Sequence, residues 1–401
     1  MILTIRNFRS IRDQEVELAP ITVVYGPNGG GKSSLLYALL TLKNIILNPN
    51  QATAGFFNYI FASLGGFDAV VFDHRKNEEI ELGVKFRSDN INLSYRVIIG
   101  ESKGSFALEV ENGLKLKLDL SVPFPYPANQ QAQGAFSIAG TSFNANWNGI
   151  LAQVQPVEPN AEALKEATAF TEILNSPAEL LRTVDVVPLR RGFSKPYYSA
   201  APISPMLVTE DELATHLSND KYLVGKVSHY LEQILARDFR SSTKPGTAIY
   251  SLDATDKRTG VLVELVNEGF GVNQMVYLLA KALRSDVHRI CIEEPEIHLH
   301  PTAVRQFAHA LVEIVREDGK EFVVATHSEP FLAALLALVA SGELKHTELA
   351  CYLAHKEKKT TLFDQQTVNE KGQIEGGLAA FVEGELEDLK TFLNVANNIE
   401  A

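Results

Sequence analysis

The sequence contains little cysteine and no long apolar run. Only two cysteines occur in 401 residues, and each lies within an apolar, strand-like stretch. We therefore expect buried thiols in a reducing, cytoplasmic setting rather than a disulfide framework. The most apolar run, residues 331–340, has about half the length of a membrane-spanning helix and predicts a buried helix. Residues 1–5 alternate like a strand and do not resemble a signal peptide.

Positive charge is also scarce. The chain has 37 Lys and Arg against 49 Asp and Glu, which gives a formal net charge of −12. This charge disfavours a protein whose whole surface binds nucleic acid. Local basic groups such as Arg190–Arg191 and Lys257–Arg258 could bind phosphate, although such groups are more often solvated surface.

A glycine-rich stretch, Gly26–Ser33, fits the pattern G-x-x-x-x-G-K-[ST]. An apolar, β-branched run precedes it at residues 21–24, and residues 35–47 read as a helix, which is the context that this phosphate-binding motif requires. Its glycines turn backbone N–H groups toward phosphate, and the start of the helix adds positive partial charge. The expected nucleotide-binding residues here are Asn28, Gly29, Gly30, Gly31, Lys32, Ser33 and Ser34, with Lys32 at the β- and γ-phosphates and Ser33 on Mg²⁺.

Two adjacent carboxylates, Glu293 and Glu294, follow an apolar strand that begins at Arg289. So apolar a strand indicates a parallel sheet buried on both faces, and ligands bind at the carboxyl ends of such strands. We expect Glu293 in the Mg²⁺ shell and Glu294 as the general base for a water. The alternative is an acid-rich helix start at Pro295, but the phosphate loop upstream favours a catalytic site.

Two further stretches carry candidate site residues. Residues 321–328 read as another buried strand, and His327 at its end could contact a γ-phosphate or orient the attacking water. Residues 267–274 place glycines before an apolar helix over 275–283, which predicts a second anion site, best explained by a partner chain's nucleotide. A plain glycine turn with an Asn cap is the alternative. The candidate residues of this second site are Gly269, Gly271, Asn273 and Gln274.

The rest of the chain contains one long alternating region. Residues 79–120 alternate apolar and polar side chains, which predicts an antiparallel meander with one wet face. Residues 121–160 are rich in Pro, Gln and Asn and predict a long irregular insertion. Helical spacing and a hairpin complete the pattern, with helices expected over residues 56–64, 160–183 and 210–236, and the hairpin over 247–252 and 260–266.

The order of these pieces resembles the ATP-binding-cassette ATPase heads of the SMC, RecF and OLD type. The resemblance covers nearly the whole chain except about residues 121–180. The matching motifs, in chain order, are Asn7–Ser10 (the opening of such heads), Gly26–Ser33 (Walker A), Val187–Arg190 (shared with stand-alone bacterial members), Gly269–Gln274 (a divergent signature), Glu293–Pro301 (Walker B and D-loop of the OLD-related branch), Ala325–Ser328 (the switch histidine) and Gly372–Gly377 (again shared with stand-alone members).

The resemblance implies an α/β fold of the P-loop NTPase class, with a mixed sheet and helices, an antiparallel β subdomain and an insertion. It implies one two-lobed head over residues 1–401, with lobe I at 1–120, an insertion at 121–183 as candidate partner contact, and lobe II at 184–401. It adds Arg9 to the nucleotide-binding residues and implies ATP and Mg²⁺ as ligands, with Glu294 and His327 as catalytic residues and Ser33 and Glu293 on the metal.

The resemblance also implies how such a head works. Two protomers would sandwich two Mg-ATP, each Walker A facing the partner's signature, and hydrolysis would open this homodimer or higher oligomer. A separate effector, such as a nuclease in phage defence or DNA maintenance, is the expected partner, and no membrane is involved. One rival is a DNA-binding repair or remodelling ATPase, which a basic stripe across the dimer would support. Another is a nucleotide-bound scaffold that hydrolyses slowly, which ATP turnover measured with and without the effector would distinguish.

Three departures from the family pattern matter. Glu293 stands where Asp is usual, and the signature lacks Leu-Ser-Gly-Gly-Gln, so Gly271, Asn273 and Gln274 all remain candidates for the contact with γ-phosphate. The Q-loop glutamine is not in a clear motif, and the candidates are Gln51, Gln130, Gln131 and Gln133. Residues 381–388 look like the opening of the Toprim nuclease domain of OLD proteins. No acidic metal ligands follow, so we expect no nuclease and an amphipathic helix over 378–395.

Overall fold

The computed structural model describes residues 1–88, 90–111, 115–204 and 209–374. The strands, in chain order, are β1 (Ile2–Phe8), β2 (Ile11–Glu17), β3 (Ile21–Tyr25), β4 (Ile80–Ser88), β5 (Ile91–Ile99), β6 (Lys103–Glu111), β7 (Leu116–Pro123), β8 (Ala132–Ile138), β9 (Thr141–Trp147), β10 (Ala152–Pro156), β11 (Val184–Val187), β12 (Tyr198–Ser199), β13 (Arg237–Thr243), β14 (Ile249–Asp256), β15 (Leu262–Glu264), β16 (Arg289–Glu293), β17 (Glu321–Thr326), β18 (Leu349–Glu357) and β19 (Thr360–Gln366). The α-helices are α1 (Lys32–Leu47), α2 (Phe67–Val70), α3 (Ala161–Arg182), α4 (Glu210–Asn219), α5 (Lys221–Leu235), α6 (Phe270–Ala282), α7 (Pro301–Asp318) and α8 (Glu329–Ala340).

A six-stranded sheet in the order β11-β16-β17-β3-β18-β19 forms the centre of the molecule. Its first five strands are parallel, and β19 pairs antiparallel with β18 at the edge. The register pairs Tyr25 with Thr326, and Glu293 with Ala325, so three neighbouring strands end at nearly the same level. The parallel sheet expected from the apolar strands is confirmed, and its carboxyl edge gathers the segments that follow these strands.

Apolar side chains cover both faces of this sheet. Within β3, Val24 belongs to one hydrophobic core and Val23 to the other, because successive strand residues point to opposite faces. Helix α1 fills the first core and is buried along nearly its whole length, as expected for a helix that is apolar on all sides. Helices α4 to α8 contribute to the second core. The helices expected over residues 35–47 and 331–340 are confirmed by α1 and α8.

The meander expected over residues 79–120 is confirmed. Strands β4 to β7 are joined in sequence by antiparallel pairing. The β1–β2 hairpin extends this sheet through pairing of β1 with β4, which gives the order β2-β1-β4-β5-β6-β7. The hairpin turn, Asn7–Arg12 in the sequence, is held by two backbone hydrogen bonds, from Arg9 to the carbonyl of Val70 and from Thr361 to the carbonyl of Ser10.

The irregular insertion predicted for residues 121–160 is wrong. These residues contain β8, β9 and β10, which form a three-stranded antiparallel sheet. Phe143, Ala145 and Trp147 are buried at alternate positions of β9, while Asn144 faces outward between them. The alternation was present in the sequence, but Gln and Asn, which are uncommon in strands, concealed it. Helix α3 follows, as the spacing over 160–183 predicted.

Two helix predictions need correction. Residues 56–64 are not helical: a short 3-10 turn, Thr53–Phe57, gives way to a tight loop closed by an isolated antiparallel bridge between Asn58 and Ser63. Asn44 holds this turn by donating to the carbonyls of Gly55 and Phe56, at 3.2 and 3.0 Å. Residues 210–236 form two helices rather than one, because Asp220 ends α4 and caps α5 through the backbone N–H of Leu223.

Several other predictions can be checked directly. The hairpin expected near residues 247–266 is confirmed by antiparallel pairing of β14 with β15. Cys291 and Cys351 are free and buried. In the part of the chain that the structure describes, no helix is long and apolar enough to cross a membrane. The predicted amphipathic helix over 378–395 and the Toprim-like stretch 381–388 lie outside the described residues.

Candidate functional site

The phosphate loop lies between β3 and α1 and needs glycine at two crowded positions. Gly26 has a φ of 139°, and a Cβ there would lie 2.2 Å from the carbonyl oxygen of Ala354. Gly31 has a φ of 96°, and a Cβ there would lie 2.3 Å from Oγ1 of Thr361. Any other residue would be strained in the backbone and would collide with the β18–β19 hairpin. The motif glycines therefore let the loop pack against this hairpin.

The loop opens into a cavity of about 720 Å³. Nearly all of the expected nucleotide-binding and catalytic residues line it: Arg9, Asn28, Gly29, Gly31, Lys32, Ser33, Ser34, Glu294 and His327. Two expected residues do not line it. Gly30 is a buried residue of the loop itself, and Glu293 is only 8% exposed. The structure thus brings together groups that lie about 300 positions apart in the sequence.

Lys32, His327 and Glu294 form one chain of polar contacts. Nζ of Lys32 lies 2.9 Å from Nε2 of His327, and this nitrogen lies 3.1 Å from Oε1 of Glu294. Lys32 also donates to the carbonyls of Gly26 and Pro27, at 3.0 and 3.1 Å. Burial lowers the pKa of Lys32, and the charges of Glu294 and Glu296 oppose this effect. The ammonium group is therefore held in place, poorly hydrated, beside the two expected catalytic side chains.

Glu296 is a site residue that we did not predict as such. One of its carboxylate oxygens accepts from the Thr326 hydroxyl at 2.7 Å and from the backbone N–H of His327 at 2.9 Å. It therefore fixes the end of β17 and with it the imidazole. The sequence showed Glu296 only as a third acid after Glu293–Glu294, and a role in positioning His327 needs the two strands to be neighbours.

Glu293 lies in a small buried group with Tyr37 and Arg9. Burial, with the charge of Glu293, raises the pKa of Tyr37 to about 12. The Arg9 guanidinium lies 5.3 Å from the centroid of the Tyr37 ring. Burial lowers the pKa of Arg9, and the charges of Tyr37 and Glu293 oppose this. Tyr37 is a second residue that sequence reasoning missed, since it appeared as an ordinary apolar position of α1.

The signature residues lie outside this cavity, at the start of α6. Gly269 caps the helix, and a Cβ at Gly271 would lie 2.6 Å from the carbonyl oxygen of His298. Asn273 is only 8% exposed and makes three hydrogen bonds within its own chain. Its side chain is thus committed internally. Oε1 of Gln274 is also buried, which leaves the backbone at Gly269–Gly271 as the group most accessible to a partner.

The β18–β19 hairpin supports the phosphate loop, which sequence reasoning did not anticipate. Thr361 is fully buried, donates to the carbonyl of Gly30 at 3.1 Å and lies 2.8 Å from the Ser10 hydroxyl. Its backbone N–H donates to the Ser10 carbonyl at 2.7 Å. Thr361 therefore ties the phosphate loop to the turn that carries Arg9. Three hairpin lysines, Lys356, Lys358 and Lys359, also line the cavity.

Replacing Thr361 with valine is expected to weaken ATP binding about tenfold without unfolding the protein. Valine keeps the shape but removes the hydroxyl, which leaves the Gly30 carbonyl without its donor, at roughly 1–1.5 kcal/mol. Titration of the purified variant with a fluorescent ATP analogue would measure this change. Thr361→Ser keeps the hydroxyl and should bind nearly as wild type. Equal affinity of the valine and serine variants would contradict the role of the hydroxyl.

None of the four candidate Q-loop glutamines lines the cavity. Gln51 instead donates to Asn44 at 3.4 Å, and Gln133 lies on the exposed side of β8.

The residues present fit Mg-ATP. Nη1 of Arg9 is buried beside the cavity without a hydrogen-bond acceptor in the described residues, as expected for a group placed to meet a phosphate oxygen. The phosphate loop and the start of α1 supply backbone donors. The Ser33 hydroxyl and the carboxylates of Glu293 and Glu294 are the oxygen ligands that Mg²⁺ prefers.

This fold and cavity define a nucleotide-binding domain of the P-loop class, as the sequence motifs indicated. Residues 21–334 match the family described as AAA domain, putative AbiEii toxin, Type IV TA system. The match spans more than half of the chain, so the chain belongs to this family. Membership implies nucleotide binding, typically with Mg²⁺.

A curated relative is the OLD nuclease of Thermus scotoductus, 21% identical over 358 residues. The alignment covers 82% of this chain but only 59% of the relative, so the chain spans less than two thirds of that protein's length. Similar solved structures include the SMC head domain from Thermotoga maritima (TM-score 0.44, 11% identity, 91% of this chain and 97% of that chain) and an SMC head bound to the C-winged helix domain of ScpA (0.49, 11%, 92% and 98%).

Proposed function

We propose that this chain is an ATPase switch: it binds and hydrolyses Mg-ATP, dimerises around the nucleotide and controls a separate effector in phage defence or DNA maintenance. The observation that carries this proposal is the contact chain Lys32–His327–Glu294 inside the phosphate-loop cavity. A lysine for phosphate, a carboxylate that can act as a base and a histidine between them are the parts that phosphoryl transfer to water requires.

The proposed roles follow from position. Glu294 takes a proton from water as the water oxygen attacks the γ-phosphorus, and the bond to the β–γ bridging oxygen breaks to release ADP and phosphate. Lys32, with the backbone N–H groups at Gly29–Ser34, stabilises the charge on the phosphate oxygens, and Arg9 adds a second cation. Ser33 and Glu293 would hold Mg²⁺, which when bound neutralises phosphate charge. His327 orients the water or contacts the γ-phosphate.

The proposed dimer rests on where the signature residues lie. Gly269–Gly271 and Gln274 do not line the cavity of their own chain, so they could contact only a nucleotide that is bound in the cavity of a second copy. Phe270, between the two glycines, is 72% exposed at the start of α6. In the proposed dimer the start of α6 faces the partner's phosphates, and an exposed aromatic residue at this position is suited to a contact that forms when two protomers associate.

Phe270→Asp is therefore expected to block ATP-dependent dimerisation while ATP still binds. The new carboxylate would face the partner's triphosphate, whereas an acid in the first turn of α6 does not destabilise the helix. Analytical ultracentrifugation with Mg-ATP should show a dimer for wild type and a monomer for the variant, and phosphate release should fall at least about tenfold.

The matched control is Tyr222→Asp, since Tyr222 is also 72% exposed but lies on α5, away from the signature. It should behave as wild type. A Phe270→Asp protein that still dimerises with ATP would contradict this dimer. Absence of phosphate release from wild type with Mg-ATP would contradict the proposed hydrolysis.

The insertion at 121–183 is the proposed contact for the effector. Its sheet of β8, β9 and β10 contains no charged residue, and its outward positions carry Gln133, Asn144 and Gln155. Without Lys or Arg these strands cannot neutralise DNA phosphates, whereas carboxamides suit the hydrogen-bonding groups of another protein. Co-purification of the neighbouring gene's product would identify the partner.

A further inference from the structure

Arg191 lies beneath the expected catalytic carboxylates and binds their backbone. Nη1 donates to the carbonyl of Glu293 at 2.7 Å, and Nη2 donates to the carbonyl of Glu294 at 2.8 Å. Nη1 also reaches the carbonyl of Pro188 at 3.2 Å. Burial lowers the pKa of Arg191 to about 10, which still leaves the guanidinium charged near neutral pH. One planar side chain thus holds two successive peptide carbonyls.

The segment that Arg191 holds has an unusual backbone. Glu294 has a φ of 43°, in the left-handed region that non-glycine residues rarely adopt. Its N–H donates to the carbonyl of Ala325 at 2.8 Å, and its C=O accepts from Arg191. The peptide groups on both sides of Glu294 are therefore fixed, and these contacts set the direction in which its side chain enters the cavity.

Of the two residues after Arg191, Phe193 binds the signature helix and Gly192 lies close against it. The N–H of Phe193 donates to Oδ1 of Asn273 at 2.7 Å, and Nδ2 of Asn273 donates to the carbonyl of Phe193 at 2.8 Å. Gly192 has a φ of 130°, and a Cβ there would lie 2.9 Å from Oδ1 of Asn273. Three consecutive residues therefore connect the carboxylate segment at one end with α6 at the other.

We infer that residues 191–193, here called the strut, connect the segment Glu293–Glu294 with helix α6, and that Arg191 is the positioning residue of Glu294. The inference rests on the proposed function, in which Glu294 acts on the chain's own nucleotide and α6 on the partner's. In such a dimer the strut would couple the two nucleotides. Contact with the partner's nucleotide would shift α6, and this shift would move the backbone of Glu294 beside the chain's own nucleotide.

The test compares Arg191→Ala and Arg191→Lys with Arg190→Ala. Arg190 is the exposed neighbour of Arg191, so its removal changes charge but not the strut. We expect kcat for ATP to fall about 100-fold in both Arg191 variants, with the Kd for ATP changed less than about threefold. Lysine keeps the charge but lacks the planar fork, so it should not restore activity. Arg190→Ala should match wild type.

Amide hydrogen exchange gives a readout that does not need hydrolysis. In Arg191→Ala, exchange over residues 293–297 should rise at least about tenfold, and it should also rise over 270–276 if the strut transmits. Asn273→Ala should raise exchange over 293–297 in turn, since coupling is reciprocal.

Unchanged exchange at 293–297 in Arg191→Ala would overturn the inference, as would full turnover in Arg191→Lys. Unchanged exchange at the far end in both Arg191→Ala and Asn273→Ala would overturn the coupling. A wild-type protein that shows no turnover would contradict the proposed hydrolysis instead, and the exchange data would still decide whether Arg191 holds the segment.

Discussion

Lys32→Ala is expected to abolish measurable ATP binding. Lys32 is only 6% exposed, and its ammonium group lies among the Gly26 and Pro27 carbonyls and His327, so it would meet phosphate with little water to screen the charge. Removing one member of a desolvated charge pair costs about 2–5 kcal/mol, which corresponds to a loss of affinity of roughly 30- to 4,000-fold. Calorimetric titration with Mg-ATP would measure the loss.

The control for this variant is Lys117→Ala. Lys117 is an exposed lysine on β7, the edge strand of the antiparallel sheet, whereas the phosphate loop follows β3 of the central sheet. Lys117 pairs with Glu109 at 2.9 Å. Its removal should leave ATP affinity unchanged, because exposed ion pairs contribute little. Tight ATP binding by Lys32→Ala would contradict the assignment of the phosphate loop.

Glu294→Gln is expected to bind ATP normally but to lose turnover by about 10²- to 10⁴-fold, the usual contribution of a general base. The amide has the shape of the carboxylate and can still contact His327, so the cavity should keep its form. Without hydrolysis the dimer should not reopen. Ultracentrifugation with Mg-ATP should then show a persistent dimer, whereas wild type returns to monomer as ATP is consumed.

Glu293→Gln separates the two carboxylates. Glu293 is buried beside Tyr37 and does not line the cavity, whereas Glu294 does. We therefore expect Glu293→Gln to raise the Mg²⁺ concentration required for half-maximal turnover, with part of the activity restored at high Mg²⁺. If Glu294→Gln instead hydrolyses at the wild-type rate and Glu293→Gln stalls as a dimer, the two roles are exchanged.

Much of the site could be predicted because its parts are local and end at one edge. The runs ending at Tyr25, Glu293 and Thr326 are apolar enough to indicate parallel strands, and such strands bring their carboxyl ends together. A glycine-rich motif between a strand and a helix indicates a phosphate-binding loop. A carboxylate or histidine at the end of a neighbouring parallel strand lies close to this loop, because the strands end at the same edge of the sheet.

The supporting residues could not be predicted because their partners are distant in sequence. Thr361 meets Gly30 across 331 positions, and Arg191 meets Glu293 across 102. Nothing near Arg191 distinguished it from Arg190, since the difference arises only when β11 pairs with β16. The strands of the insertion were concealed for another reason: Gln and Asn are uncommon in strands, and they outweigh the alternation of the buried residues in β8 and β9.

The position of β3 in the sheet has a consequence for folding during synthesis. Strand β3 leaves the ribosome well before its neighbours in the sheet, β17 and β18, which begin at Glu321 and Leu349. The phosphate loop also lacks its support until Thr361 has been synthesised. While the residues between β3 and β17 are being synthesised, therefore, the nascent chain carries an apolar strand without its sheet neighbours, and a chaperone that shields it would prevent aggregation during that interval.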